Sequence, residues 1–597
     1  MSAEKKQSVL NGAIILVIAT ALVKIIGAVF KIPLTALIGT EGRGYFASAY
    51  NIYTPIYAIS MAGLPIAVSR LVSKNVAIGH YRDVRRIFKV TYPAFLILGL
   101  IGTVVLLALA YPYSSLDWAM SINSPKSLLS IIAVAPSIFF CCVMSTYRGY
   151  YEGMRNMVPT AVSQVIEALG KLVFGLSMAY FVLKTGIAQF ESGGSVFGET
   201  VATKAEALAV VYPLSAAAAI LGVTLGTVAA TVFMVIRHRL IGDGITREML
   251  VNSPRPAGGR DTLKELAQIA VPAAISSLVI NVTNLIDTWM VQNRLEYVVQ
   301  NHLDVIKQMY GSCLEAGDVL DANIKTYLYG AFDTTMDFRN LIPTLTMTLG
   351  ISAIPVLSGA WTKKDSPLVK STVDTVLRMT SLLALPAGMG FLVLSEPILE
   401  LFYKGTQNAS SIPIAAPTLA FYGAIMLFIA ISTPLTNMLQ AIGRADVPAK
   451  TLLVACVVKI VSNLIFITVP QLNIYGALIG TGLLYLICVA CNLFVLIRTT
   501  KIKISFSTVF IKPFIASVLC GAAAYVSYSL LCRVLTFGNP DSRLCGESVA
   551  CLAAICIAGI VYLISVLLLK TVVKDDILML PKGEKIAKVL EKYKLIG

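Results

Sequence analysis

Charged residues are scarce in this chain of 597 residues. Asp, Glu, Lys and Arg together make up 13% of it, whereas hydrophobic residues make up 57% and the mean hydropathy is +0.79. Soluble domains contain about 25% charged residues. The shortage of charge therefore excludes a soluble globular domain and indicates a membrane protein with many spans.

Histidine is scarcer still. The chain contains three histidines, and no histidine-based set of metal ligands is evident. Cys488 and Cys491 form a C-x-x-C, but they lie in a predicted span with no second pair, and we interpret them as packing residues. A disulfide between Cys532 and Cys545, which flank one predicted outside loop, remains an alternative. We predict neither a metal nor a cofactor.

Long apolar runs, in contrast, are abundant. A bilayer core of about 30 Å is crossed by a helix of about 20 apolar residues, and the sequence contains fourteen such runs separated by polar or turn-rich segments. The predicted spans are 9–38, 46–71, 89–111, 127–147, 158–183, 205–236, 265–292, 326–361, 376–395, 414–441, 450–469, 474–497, 511–531 and 548–569. No cleavage site follows the first run, so we expect no cleaved signal peptide.

Positive charge is distributed unevenly along the chain. Lys and Arg are concentrated in segments that are cytoplasmic if the N-terminus is inside, including 72–89, 237–264 and the tail from Lys570. The positive-inside rule then places both termini in the cytoplasm. The net charge of +16 is mostly a topology signal that also favours anionic membrane lipids. Nucleic acid is not needed as a partner.

The two halves of the chain resemble each other weakly. Segments 51–68 and 338–357 share the positions of two prolines and a glycine, and segments 152–159 and 441–448 each close a predicted inside loop. Six spans per copy predict two six-helix bundles in a parallel repeat, with the substrate site in a cleft between them. The predicted domains are 1–240 for the first bundle, 241–264 for a linker, 265–500 for the second bundle and 501–597 for two extra helices and a basic tail.

Several charged residues fall inside the predicted spans, where charge is costly and usually marks function. Most of them are cations, which favours an anionic substrate. The candidate ligands for a diphosphate or headgroup are Lys24, Lys31, Arg339 and Lys459. The candidates for a coupling site or for structural ion pairs are Asp287, Glu167, Lys171 and Asp333. Arg70, near the inside end of the second span, is expected to snorkel.

Lys24 and Lys31 share one face of the first span. They are two helical turns apart, about 10 Å along the axis, and this span contains no acidic residue. Pro33 predicts a kink of the kind that transporter helices form beside a cavity. We therefore expect both lysines to face a hydrated cleft and to bind an anion such as a diphosphate.

The other charges have structural alternatives. Glu167 and Lys171 are four residues apart on the fifth span, which predicts either a self-neutralised pair or a site. Arg339 closely follows Asp333, so a local salt bridge is the alternative to substrate binding there. Lys459 lies on the eleventh span, the repeat counterpart of the fifth.

Some segments resemble a known family of transporters. "GLPIAVSRLVSK" (63–74) and "YRGYYEGMRNMVPTAVSQVIEALGKL" (147–172) are similar to stage V sporulation protein B and the MurJ-like lipid II flippases. These belong to the multidrug/oligosaccharidyl-lipid/polysaccharide (MOP) exporter superfamily. Residues 24–46 and 285–291 fit the first and seventh spans of that family.

The resemblance implies an all-α, V-shaped, MATE-like transporter of fourteen helices that works by alternating access. It would move an undecaprenyl-diphosphate-linked sugar from the cytoplasmic to the outer leaflet for peptidoglycan or polysaccharide assembly. In MurJ-like relatives, arginines on the first, second and eighth spans bind the headgroup. Lys24 matches the first position and Arg339 lies on the eighth span, whereas the second has no clear equivalent. A monomer in the bacterial plasma membrane is expected, with cell-wall synthesis proteins as candidate partners.

Three alternatives to a flippase are open. A cation-coupled drug exporter of the same superfamily would favour an acidic or aromatic cavity. A membrane enzyme would need carboxylates in a sizeable loop, and segment 293–325 carries only scattered ones. A non-transporting scaffold of cell-wall synthesis is the third.

The energy source of transport is also open. The membrane potential supplies about 2.3 kcal/mol per charge per 100 mV. The alternative is a gradient of Na⁺, H⁺ or Cl⁻, with Asp287 or Glu167 as the candidate ion site.

Overall fold

The protein is almost entirely helical. A computed structural model describes residues 9–62, 64–115, 124–406, 408–444, 446–537 and 545–571. The helices α1 to α18 are Val9–Ala62, Leu64–Ala77, Tyr81–Ser115, Leu128–Gly153, Val158–Gly193, Lys204–Leu240, Arg247–Val251, Gly259–Asn301, Leu303–Ala316, Ile324–Thr362, Ser366–Val393, Ser395–Tyr403, Ile412–Ala424, Met426–Ala441, Asp446–Phe466, Gly476–Thr500, Lys512–Val534 and Gly546–Leu568.

One short hairpin joins α5 to α6. Its strands, β1 (Ser195–Val196) and β2 (Glu199–Thr200), are antiparallel. Both turn residues, Phe197 and Gly198, have positive φ, as the type I′ hairpin turn requires. The next helix begins with a capping box: the Thr203 side chain accepts a hydrogen bond from the Glu206 amide, and the Glu206 carboxylate accepts one from the Thr203 amide.

The helices bear out the apolar pattern of the sequence. All fourteen predicted spans fall largely on helical residues. Among the described residues, nine helices are long and apolar enough to cross a membrane, and the pair α13 and α14, bent by 51°, would make a tenth span. The remaining predicted spans lie on α1, α2, α8 and α10, which include side chains outside the described part. The chain is a multi-pass membrane protein, and the count of fourteen spans stays a prediction.

The chain divides into two compact units. The first comprises residues 1–293 with 318–330, and the second comprises residues 294–317 with 331–597. The predicted linker 241–264 lies inside the first unit because the start of α8 is packed there. Leu266 joins a cluster with Leu71 of α2 and Val84 of α3, and the Ala257 amide donates a 2.7 Å hydrogen bond to Asp83 Oδ1.

Small residues bring the helices of the first unit close together. A Cβ on Gly170 of α5 would lie 2.7 Å from Cα of Gly226 on α6, so a larger residue would force these helices apart. The same pair of helices is joined by a 3.0 Å hydrogen bond from Ser215 Oγ to the Ala179 carbonyl. Gly39 interrupts α1 with φ 72°, and the Tyr212 ring fills the space that its side chain would need. The non-helical break in α1 lies six residues after Pro33, and the kink predicted at Pro33 itself stays a prediction.

In the second unit the last two helices pack on α11 and α12. The Tyr562 hydroxyl of α18 donates a 2.7 Å hydrogen bond to the Leu382 carbonyl of α11. Cys520 and Cys551 are buried in the same cluster as Leu399. Cys532 and Cys545 are both free thiols, so the disulfide alternative is not realised in this structure.

Candidate substrate-binding residues

An aromatic ladder runs along α1 after its break at Gly39. The rings of Phe46 and Tyr50 are stacked with centroids 5.0 Å apart, and Tyr50 to Tyr53 and Tyr53 to Tyr57 follow at 5.6 and 5.1 Å. Spacings of three and four residues place these side chains on one face of a helix. One charged side chain of α5, that of Lys171, lies against this ladder.

Lys171 is held by this ladder and not by a carboxylate. Its Nζ donates a 2.9 Å hydrogen bond to the Tyr50 hydroxyl and lies 5.1 and 5.0 Å from the ring centroids of Phe30 and Tyr50. Such cation–π contacts are worth about 2 kcal/mol or more when desolvated. Among the residues that the structure describes, no carboxylate lies within ion-pair distance of Lys171. The side chain is half-buried.

Glu167 is neutralised by a residue that the sequence analysis missed. Arg148 of α4 donates a 2.9 Å hydrogen bond from Nη2 to Glu167 Oε2 and another, also of 2.9 Å, from Nε to Ser163 Oγ. Its side chain is 3% exposed. The alternative of a Glu167–Lys171 pair is therefore wrong, because each of the two side chains has a different partner. The predicted fourth span ended at 147, which left Arg148 in a loop, whereas α4 continues to Gly153.

Of the two lysines on α1, the structure describes the side chain of Lys31 and not that of Lys24. Lys31 is half-buried on α1, directly after Phe30, whose ring contacts Lys171. The structure thus brings Lys171 next to the helical turn that carries Lys31. Lys24 lies on the same helix, and its side chain is outside the described residues. Its role in binding stays a prediction.

The remaining candidates of the second unit lie on two helices, α10 and α15. The Arg339 guanidinium of α10 lies 5.1 Å from the centroid of the Tyr422 ring, and its Nε donates a long 3.4 Å hydrogen bond to Asn340. Asp333, one and a half turns earlier, is buried. Lys459 is half-buried on α15, where its Cγ packs closely against Gly480 of α16.

In the first unit, Asp287 is half-buried on α8. It lies near Leu285, which packs against the cluster that contains Phe30 and the ladder residue Tyr53. A role in ion coupling stays a prediction for this residue.

A second buried charge that the sequence analysis missed is Glu41. It lies between the first two predicted spans, is 5% exposed, and accepts a 3.0 Å hydrogen bond from Asn323 Nδ2. Burial raises the pKa of this carboxyl from 4.5 to about 8, against the opposing effects of Lys126 and of the hydrogen bond. Two charges beside two glycines in "TEGRG" are the signal that could have identified the segment.

The described residues contain no group of three or more His, Cys, Asp or Glu placed to hold a metal ion.

Comparison with known proteins decides the family. Residues 9–361, more than half of the chain, match the family model described as polysaccharide biosynthesis protein. The chain belongs to this family. Residues 341–539 match a second model, described as lipid II flippase MurJ.

Two relatives are similar to this chain along most of their length. The lipid II flippase MurJ of Bacillus subtilis is 25% identical over 484 residues, which cover 80% of each chain. Stage V sporulation protein B of the same organism is 22% identical over 96% of this chain and 98% of that protein. These matches confirm the resemblance that the motifs indicated.

The fold is confirmed by a solved structure. The lipid II flippase MurJ in an inward closed conformation superposes with a TM-score of 0.57 at 15% identity, over 92% of this chain and 98% of that one. The all-α, polytopic transporter fold predicted from the sequence is therefore correct. The relative and the solved structure that are named as lipid II flippases are transporters and not enzymes.

Proposed function

We propose that this protein is a flippase. It moves an undecaprenyl-diphosphate-linked sugar precursor from the cytoplasmic to the outer leaflet by alternating access, for peptidoglycan or polysaccharide assembly. A relative named as a lipid II flippase that matches 80% of the chain supports the reaction class. The plasma membrane is its location, with both termini cytoplasmic, as the charge distribution indicates.

The observation that carries the proposal is the way in which Lys171 is held. Neutral aromatic groups surround this cation, and the nearby carboxylate of Glu167 is already paired with Arg148. A cation without a carboxylate partner in a membrane span attracts an anionic passenger. Lysine binds phosphate as a point charge and does not need a fixed geometry. Lys24, Lys31, Arg339 and Lys459 supply the remaining contacts to the diphosphate and headgroup.

The same observation disfavours a drug exporter. Such a protein would present an unpaired acidic group to a cationic drug, whereas Glu167 forms an ion pair with a buried arginine.

The simplest energy source is the membrane potential, which would drive the empty, positively charged site back toward the cytoplasmic side. A gradient of Na⁺, H⁺ or Cl⁻ is the alternative. The protein acts as a monomer, with membrane lipids and cell-wall synthesis proteins as its surroundings.

The test is movement of a labelled prenyl-diphosphate sugar across proteoliposomes. We expect Lys24→Ala and Lys31→Ala to abolish flipping while reconstitution and helical content stay normal. Lys89→Ala, an exposed lysine at the start of α3, is the matched control and should flip at the wild-type rate. Wild-type activity in both first-helix variants would contradict the proposed recognition.

A further inference from the structure

A small cavity lies between α2 and the start of α8 in the first unit. Its volume is about 320 Å³, near the lower end for ligand sites. The residues that line it are Arg70, Leu71, Lys74, Glu265, Gln268 and Ile269. In the predicted topology this is the cytoplasmic end of the second span and the cytoplasmic start of the seventh, which is the level of the lipid headgroups.

The walls of the cavity are built on firmly packed helices. Leu71 is buried, and a Cβ on Gly149 of α4 would lie 2.6 Å from the Pro65 carbonyl, so α2 is packed directly on the α4 backbone. On the opposite wall, Leu266 and Ala270 of α8 are buried in the same cluster as Leu71. The polar side chains are thus presented by two helices whose other faces are fixed.

The charges of the cavity are unequal. Lys74 Nζ forms a 2.6 Å ion pair with Glu265 Oε1 across it. Arg70 is exposed and makes no ion pair with any residue that the structure describes. One positive charge is left over, and the Gln268 amide is a further hydrogen-bond donor.

We propose that this cavity binds the phosphate of an anionic lipid headgroup at the cytoplasmic surface. The Arg70 guanidinium offers the paired donors that match phosphate oxygens, while Gln268 adds a neutral donor. Lys74 contributes when its contact with Glu265 loosens, so Glu265 limits the affinity. The site is separate from the ladder that holds Lys171, and lipid binding to it needs no transport.

Two sources can supply such a phosphate: a bulk anionic lipid, or the diphosphate of a prenyl-linked substrate during loading. The full-length protein is placed in nanodiscs of phosphatidylcholine containing either phosphatidylglycerol or undecaprenyl diphosphate. Bound lipid is then counted by native mass spectrometry. Binding of phosphatidylglycerol that depends on Arg70 identifies bulk lipid as the source, and dependence seen only with the prenyl diphosphate identifies substrate loading.

We expect Arg70→Gln to weaken binding about tenfold, as loss of a charge-assisted contact does, and Arg70→Lys to restore part of it. Glu265→Gln should tighten binding several-fold because it removes the counter-charge and frees Lys74. The control Lys89→Gln keeps wild-type binding, although it removes one charge from the same predicted membrane face. Equal retention of both lipids by the wild type and Arg70→Gln would overturn the proposal and leave the flippase assignment untouched, because flipping is measured separately.

Discussion

The fifth and eleventh spans, one in each unit, occupy matching places in the predicted repeat but carry different chemistry. When the segments that begin at Glu152 and Ala441 are aligned, Asn437 stands opposite Arg148 and Cys456 opposite Glu167. The first unit thus contains a buried ion pair that the second replaces with neutral side chains. Both keep one lysine at nearly the same place, Lys171 on α5 and Lys459 on α15.

The difference separates a structural feature from a functional one. The Arg148–Glu167 pair adds no net charge, so its absence from the second unit does not by itself change the net charge there. We infer that the ion pair supports the packing of α4 on α5. The lysines are the feature that the two units share, and they are the candidates for substrate binding.

The largest effect is expected when only one partner of the Arg148–Glu167 ion pair is replaced. Glu167→Gln leaves the Arg148 charge buried without a partner, since that side chain is 3% exposed. Removal of one partner of a buried pair destabilises proteins by about 3 kcal/mol or more. Reversible unfolding of the purified protein in mixed micelles measures the loss of unfolding free energy.

The double variant Arg148→Asn/Glu167→Cys copies the second unit and is the control for this prediction. It should recover most of the lost stability, because no charge is left unpaired, and it should still flip substrate. A double variant that is folded but inactive would show that the ion pair is needed for transport, and would contradict the inference that its role is structural.

The next effect concerns the two shared lysines. Lys171→Met and Lys459→Met should each lower the flipping rate by about 10- to 100-fold, as expected for loss of one charge-assisted contact to substrate. Lys184→Met, an exposed lysine at the far end of α5, is the control. If only the α5 variant is impaired, the two lysines are not equivalent.

The smallest effect concerns the ends of the two units that the predicted topology places in the cytoplasm. In the first unit, Arg85 of α3 pairs with Asp243 at 3.1 Å, and His238 stacks on Phe88 with centroids 4.7 Å apart. In the second, Asp374 stands opposite Arg85 in the same alignment and accepts a 2.9 Å hydrogen bond from Ser505. Only the first of these two arrangements contains a histidine.

Burial lowers the pKa of His238 below its ordinary value of 6.5, with Arg237 and Arg85 acting in the same direction and Asp243 opposing them. A base with a lowered pKa in the folded state stabilises that state above the unfolded pKa and loses this contribution as the pH falls. We expect amide exchange in 241–251 to rise relative to 501–506 between pH 7 and pH 5.5, after correction for intrinsic rates. In His238→Gln the difference should disappear.

The sequence predicted the positions of the helices better than it predicted which side chains contact each other. Apolar runs of spanning length are a local signal, and all fourteen fall largely on helices. Which side chain neutralises Glu167 depends on how α4 packs against α5, and the local spacing to Lys171 indicated the wrong partner. The predicted fourth span ends at 147, a few residues before the end of α4, and therefore does not include Arg148.

The local sequence pattern also did not predict where the backbone of α1 breaks, or that a charged residue between two predicted spans is buried. Pro33 indicated a kink, but the change in backbone conformation occurs at Gly39, where the Tyr212 ring leaves room only for a glycine. Glu41 lies between two predicted spans, yet it is buried and accepts a hydrogen bond from Asn323, which is distant in sequence. Both are consequences of tertiary contacts.

Affinity for a charged and an uncharged prenyl lipid tests the role of the cations most directly. The purified protein is titrated with undecaprenyl diphosphate and with undecaprenol, which has the same chain but no phosphate, for the wild type, Lys31→Gln and Lys171→Met. The account predicts that the wild type binds the diphosphate at least tenfold more tightly than the alcohol, and that each substitution removes most of this preference. Equal affinities for the two lipids in the wild type would contradict it.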